Sequence, residues 1–397
     1  MNSDWKKVKI KDFTKVLSGG TPKSSVEEYY SGGEIGWITP SDLTNYNGQF
    51  ISKGKRNITG LGLEKSSAKL LPAETVLFSS RAPIGHVVIA EKELTTNQGF
   101  KNILPSPMHD PKYLYWYLKS IKSEIEFRAS GTTFKEISGT AMGEIEILLP
   151  PLKEQKKIVA VLDKAQALIE KRKEVILNLD KLVRSVFLDM FGDPVINPKK
   201  INKVKLDELG DWKSGGTPPR KKVEYYKGDV PWYSSGELNN TYISKSIECI
   251  SHKAIDETSA KLIEPGSLLL GMYDTAALKS SISTQECSCN QAIAFSKLNE
   301  ELVSTLFVYY VIQLGKDHYK RQQRGVRQKN LNLTMIREIE VILPPLGIQQ
   351  EFVDLVEKIE QQKLTMQKSL VILENIFQSL LRRAFQGELE INTKIDI

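Results

Sequence analysis

The chain has 397 residues, 40% of them hydrophobic and 26% charged, and its 55 Lys and Arg outnumber its 48 Asp and Glu to leave a net charge of +7. With a mean hydropathy of −0.29, this balance excludes a disordered, collagen-like or membrane-spanning chain and points to about two or three folding units of roughly 150 residues. The modest positive excess is compatible with a polyanionic partner but does not demand one.

The polar stretch Met1 to Lys11 lacks the apolar core of a signal peptide, and no apolar run approaches the ~18 residues of a membrane span, so the chain is expected to stay in the cytoplasm. The string Ser18-Gly19-Gly20-Thr21-Pro22 follows, and it recurs 196 residues later at Ser214 to Pro218. Tyr29-Tyr30 recurs as Tyr225-Tyr226, and the ten residues from Glu34 align with those from Asp229. The runs Thr75 to Phe78, His86 to Ala90 and Glu144 to Leu149 read as strands. Asp110 as cap and Pro111 at the first helical position open a helix, PKYLYWYLKSIKSEIEF, whose counterpart starts at Glu301. EIEILLPPL from Glu144 matches EIEVILPPL from Glu338 at seven of nine positions, so the chain is two copies of one plan.

After each Pro-Pro pair, apolar residues recur at alternating spacings of four and three, the seam of a coiled coil. One seam runs Ile158, Leu162, Ala165, Ile169, Arg172, Ile176, Leu179, Val183, Val186 and Met190; the other runs Phe352, Val356, Ile359, Lys363, Met366, Leu370, Leu373, Phe377, Leu380 and Ala384. Each helix, about 58 Å long at 1.5 Å per residue, is too long to hide its stripe locally, and antiparallel packing of the two seams is the economical solution. The expected fold is α/β: two repeated globular domains separated by two long antiparallel coiled-coil helices, a pseudo-two-fold dumbbell. Its expected parts are residues 1–150, a central helix over 151–192, residues 193–345, a C-terminal helix over 346–390 and a tail over 391–397.

Reactive constellations are not evident. Gly48 to Lys55 has the wrong spacing for a phosphate loop, and Gly60-Leu61-Gly62 lacks the third glycine of a dinucleotide turn. Glu154-Gln155-Lys156 resembles the end of a nuclease motif but sits on a helix face. His86, His109, His252 and His318 show no metal-ligand spacing, and Cys249, Cys287 and Cys289 read as reduced structural thiols. Charge instead clusters in Lys316 to Lys329, where Lys316, Lys320, Arg321, Arg324, Arg327 and Lys329 face Asp317 alone. Such a run can neutralise phosphates and present forks to base edges, although a solvated helix end fits it too. Trp37 and Trp232 read as packing residues.

The duplicated SGGTP, Tyr-Tyr, acidic-x-x-Trp, Asn-Gln (Asn97-Gln98, Asn290-Gln291) and LPPL before a long helix together resemble the DNA-specificity subunit of type I restriction-modification systems, over essentially the whole chain. LPPLKEQ from Leu149 and QSLLRRAFQGEL from Gln378 are especially similar, whereas Gly347-Ile348 replaces Lys153-Glu154 in the second copy. The resemblance implies a chain without catalytic residues, metal or cofactor of its own. Its globular halves would be target recognition domains, each reading one half of a split sequence in double-stranded DNA, with the coiled coil setting the gap. Two DNA-methyltransferase subunits would dock with S-adenosylmethionine, and restriction/translocase subunits would bring ATP and magnesium. By position in the repeat, the residues expected to touch DNA are Thr21, Lys23, Ser24, Thr39, Ser41, Ser80, Arg81 and Lys135 in the first half. In the second they are Thr217, Arg220, Lys221, Ser234, Ser235, Tyr273, Arg324, Arg327 and Lys329. A stand-alone two-half-site regulator, a coiled-coil adaptor and a self-sufficient methyltransferase or nuclease are the competing readings; the last is opposed by the missing cofactor motifs.

Overall fold

The computed structural model describes residues 5–81, 83–129, 135–321 and 330–389. The chain divides into two compact units, residues 1–173 with 368–397, and residues 174–367.

In the first unit the strands are β1 (Lys6–Lys9), β2 (Val16–Ser18), β3 (Trp37–Ile38), β4 (Phe50–Ile51), β5 (Val76–Ser79), β6 (Val87–Ala90), β7 (Thr95–Thr96), β8 (Phe100–Ile103) and β9 (Glu146–Leu149). The five-stranded sheet has the order β2-β8-β5-β6-β4 and is antiparallel except where β4 joins β6. β1 pairs antiparallel with β9, and β3 pairs parallel with β7. The three strands expected from apolar runs are thus β5, β6 and β9. Because successive strand side chains point to opposite faces, β5 feeds two cores. Val76 and Phe78 join Val87, Ile89 and Ile103 against the helices, while Leu77 joins Val88, Ala90 and Phe100 on the other face.

The second unit repeats this plan. Its strands are β10 (Lys203–Lys205), β11 (Lys213–Ser214), β12 (Val230–Tyr233), β13 (Tyr242–Ile243), β14 (Glu248–Ile250), β15 (Leu268–Gly271), β16 (Ser280–Ser283), β17 (Ser288–Cys289), β18 (Ile293–Ser296) and β19 (Glu340–Ile342). The order β11-β18-β15-β16-β13 reproduces the first sheet, again with one parallel pair at the β13 edge. β10 and β19 pair as β1 and β9 do. β12 pairs parallel with β17, as β3 does with β7, and gains β14 as an antiparallel neighbour.

The helix opening at Pro111 is capped by the Asp110 carboxylate, which accepts from the Lys112 and Tyr113 amides at 2.9 and 3.2 Å. It is not one helix to residue 127, as the sequence pattern implies, but two, Pro111–Ser120 and Lys122–Arg128. The Ser120 hydroxyl takes the Tyr117 carbonyl at 2.7 Å, competing with the helical ladder just before the break. The counterpart starts at Thr305 rather than Glu301, because Asn299 holds the Glu301 and Val303 amides in a turn.

Both long helices have 40 residues, Leu152–Phe191 and Leu346–Phe385, so the second closes before the expected residue 390. Gly192 and Gly387 adopt positive φ (76° and 73°) just beyond the two ends, the left-handed conformation that glycine supplies at helix exits. Each unit holds the start of one helix and the end of the other, and they run antiparallel. In the first unit Ile158, Leu162 and Ile169 share a core with Phe377, Leu381 and Ala384. In the second, Val183, Phe187 and Phe191 share one with Phe352, Val353 and Val356. Every seam position named above is buried or half-buried. Phe187 and Phe191 lie off that seam yet are fully buried, because at the helix end the rings of Phe307 and Phe352 cover a second side. Among the described residues no helix is long and apolar enough to cross a membrane.

Candidate nucleic-acid interface

At one end of each five-stranded sheet the duplicated motifs converge. In the first unit the SGGTP turn leaves β2 and returns its Gly20 amide to the Thr96 carbonyl at 2.9 Å. Trp37 donates its indole N–H to the Gly20 carbonyl at 3.0 Å, and the Tyr30 hydroxyl donates to the Pro22 carbonyl at 2.6 Å. The second unit repeats each bond: Gly216 to Cys289 at 2.9 Å, Trp232 to Gly216 at 3.0 Å and Tyr226 to Pro218 at 2.7 Å. The buried tryptophans therefore pack and pin this turn, as expected. The glycines are required by close approach, since a Cβ on Gly216 would lie 2.3 Å from the Ser259 carbonyl oxygen.

What the pinned turn presents is a threonine. Thr21 donates its hydroxyl to the Gln98 side-chain oxygen, and Thr217 does the same to Gln291; all four residues are exposed. Gln98 and Gln291 were not among the expected contacts, although the duplicated Asn-Gln pair marked them. Asn97 and Asn290 instead fold back, each Oδ1 accepting the amide two residues on, from Gly99 at 2.9 Å and Ala292 at 3.1 Å. Lys23, Ser24, Ser41, Lys135 and Lys221 are exposed, and Ser235 is half-buried.

Thr39 and Ser234 are equivalent and half-buried. Each hydroxyl donates to the carboxylate three residues on, Asp42 at 2.7 Å and Glu237 at 2.8 Å, so both close a short turn and are engaged within the fold. Arg220 is likewise engaged: its guanidinium makes two bonds to Glu248, at 2.6 and 2.8 Å, and stacks over Tyr226, 4.5 Å from the ring centre. The Glu248 bonds raise the arginine's pKa and lower the carboxylate's. Arg56, which the sequence reading missed, stacks over Tyr30 at 3.4 Å from a different loop. Both turn-pinning tyrosines thus carry an arginine, reached from unrelated positions.

Next to Gln98, β5 runs out into Ser80 and Arg81, and the Ser80 amide donates to the Gly99 carbonyl at 2.8 Å. Ser80 itself is fully buried with its hydroxyl 3.3 Å from Glu136, which corrects its assignment as a DNA contact: it braces the site from inside. Glu136 also meets Arg81 at 3.5 Å and the buried Lys101 at 3.1 Å. In the second unit Tyr273 stands where Arg81 does, exposed and bridged to Asn330. Arg324, Arg327 and Lys329 lie outside the described residues, immediately before Asn330 in the chain.

None of the remaining candidates assembles a reactive centre. Among the described residues no three His, Cys, Asp or Glu side chains gather as a metal site. Cys287 and Cys289 are buried free thiols, as expected; burial pushes Cys287 up to about 12 and Cys289 well above the usual thiol value. His109 is a packing histidine, edge-on to Phe13.

The duplication has a direct counterpart in known proteins: the model of the type I restriction modification DNA specificity domain matches the chain twice, at residues 2–178 and 198–374. The chain belongs to this family. The chain is 31% identical to the type I restriction enzyme MjaIX specificity subunit of Methanocaldococcus jannaschii, across 98% of this chain and 94% of that protein. It is 24% identical to the EcoR124I/EcoR124II specificity subunit of Escherichia coli over 63% of each. A solved chain from work on complex assembly and conformational transition of the type I R-M system shares the fold with a TM-score of 0.66 at 17% identity, covering 97% of this chain and 98% of that one. The type I restriction-modification S subunit from M. genitalium does so with a TM-score of 0.53 at 18% identity, over 98% and 97%. Membership of this specificity family explains why each half carries a recognition domain and why the sheet-end site occurs twice.

Proposed function

We propose that this chain is the non-catalytic reader of a type I restriction-modification complex, with residues 1–150 and 193–345 as target recognition domains for the two halves of a split DNA sequence. The observation that carries this reading is the pairing of one scaffold with two sets of side chains. The same turn, indole bond and threonine-glutamine contact occur at both sheet ends, whereas the positions of Arg81, Lys101 and Glu136 in the first unit are taken by Tyr273, Ala294 and Asn330 in the second. Phosphate contacts position a protein on any duplex, and base contacts specify sequence; a shared frame with unlike side chains suits two different half-sites. The long helices set the gap and scaffold two adenine methyltransferase subunits. S-adenosylmethionine chemistry belongs to those partners, and ATP and magnesium to the restriction/translocase subunits.

The test is a map of N6-methyladenine across the genome of a cell expressing this chain with its neighbouring methyltransferase, against one lacking only this chain. Loss of methylation at a split motif with a fixed gap is the expected result. A methylation pattern independent of the chain would overturn the reading.

A further inference from the structure

We propose that Arg81, oriented by Glu136, is the residue through which the first recognition site discriminates guanine from the other bases; this rests on the DNA-reading role above. The Glu136 carboxylate lies 3.1 Å from Lys101, whose side chain is only 6% exposed, and 3.5 Å from one Nη of Arg81, which is 36% exposed. A buried ammonium needs a paired anion, so Lys101 balances the carboxylate and the arginine's charge is in excess. A guanidinium has five N–H donors, and only one of its nitrogens reaches Glu136. At 3.5 Å the contact is a long one that biases the side chain's direction and leaves its other donors open. A guanidinium with donors to spare matches the adjacent O6 and N7 acceptors of guanine.

One feature favours a base edge over a phosphate. A phosphate contact serves any half-site, so it is expected in both units, and among the described residues the second unit places Tyr273, not a cation, at the position of Arg81. The equivalence is set by the backbone. Ser80 accepts the Ile137 amide at 3.2 Å and Met272 accepts the Leu331 amide at 2.8 Å, which places Arg81 opposite Glu136 and Tyr273 opposite Asn330. Lys101 pairs with Ser18 as Ala294 pairs with Ser214.

The experiment selects bound sequences from a randomised duplex library, using the full chain with its methyltransferase subunits, for the native protein and for Arg81→Ala, Arg81→Lys and Glu136→Gln. Both Arg81 variants are expected to lose about tenfold or more of the preference for guanine at one position of one half-site, with the other half-site unchanged. Arg81→Lys keeps the charge but not the fork, so it retains the salt dependence of binding. Glu136→Gln, which keeps the shape but frees the arginine and also removes the anion paired with Lys101, weakens the guanine preference at the same position, read in protein whose melting shows it folded. An unchanged motif in Arg81→Ala overturns the assignment. So does full guanine preference in Arg81→Lys with a salt slope lowered by about one in Arg81→Ala, the signature of a phosphate contact. A native protein that enriches no sequence refutes the DNA-reading role itself, which separates the two failures.

Discussion

Lys363 of the second long helix reaches Asp180 of the first at 2.5 Å, closing the one seam position of that helix that carries a charge. Glu360 adds a second carboxylate at 3.8 Å. Burial lowers the lysine's proton affinity, but the Asp180 bond and the nearby Glu360 charge outweigh it and hold its pKa above the usual lysine value. The stabilisation is therefore present below the unfolded value of about 10.4 and is lost as pH rises through the raised folded one. Thermal melts of the native protein and Lys363→Met are expected to differ at neutral pH and to converge as the pH rises past the raised lysine pKa. Lys363→Glu, which sets a third carboxylate there, is expected to lower the Tm by at least about 2 °C.

Gln155 and Gln349 act as paired latches at the starts of the long helices. The fully buried Gln155 donates to the Met108 and Pro150 carbonyls at 3.0 and 2.7 Å and accepts the Asp110 amide at 2.8 Å. Gln349 does the same with Leu302, Pro344 and Ser304. Substitution by Ala strands buried backbone groups, and each variant is expected to lose about 1–3 kcal/mol in denaturant unfolding. Equal stability of Gln155→Ala and the native chain would show that water satisfies those groups instead.

His109 gives the first unit an acid-sensitive point. Burial pulls its pKa down from 6.5 to about 4, against the opposing charge of Asp110, and its Nε2 has no hydrogen-bond partner among the described residues. The unfolded chain therefore binds the proton more readily between those values, so stability falls as pH drops from about 6.5 to about 4. Comparing urea midpoints of the native protein and His109→Gln across that range should show the native slope partly flattened in the variant. Parallel slopes would assign the acid sensitivity to other groups.

The cysteines are expected to react in a fixed order with a thiol reagent at pH 8. Cys249 is half-buried and labels first, whereas Cys287 and Cys289 stay protonated and shielded until the second unit unfolds. Mass spectrometry of protein alkylated with and without denaturant resolves the three sites.

The sequence by itself determined the duplication, the two long helices and their seams, and several strands of each half, because repeats and periods of two or 3.6 are properties of neighbours along the chain. It also marked the Gly-Gly-Thr-Pro turn and the indoles that pin it. Which polar side chains remain available was decided only by tertiary contact. Ser80 is turned inward by Glu136, 56 residues away, and Arg220 is claimed by Glu248, 28 residues away. Arg56 reaches the same kind of stacking position from a loop with no counterpart motif. A carboxylate fixes the direction and accessibility of a distant guanidinium only after the sheet has brought their strand ends together, and no local pattern of residue types encodes that meeting.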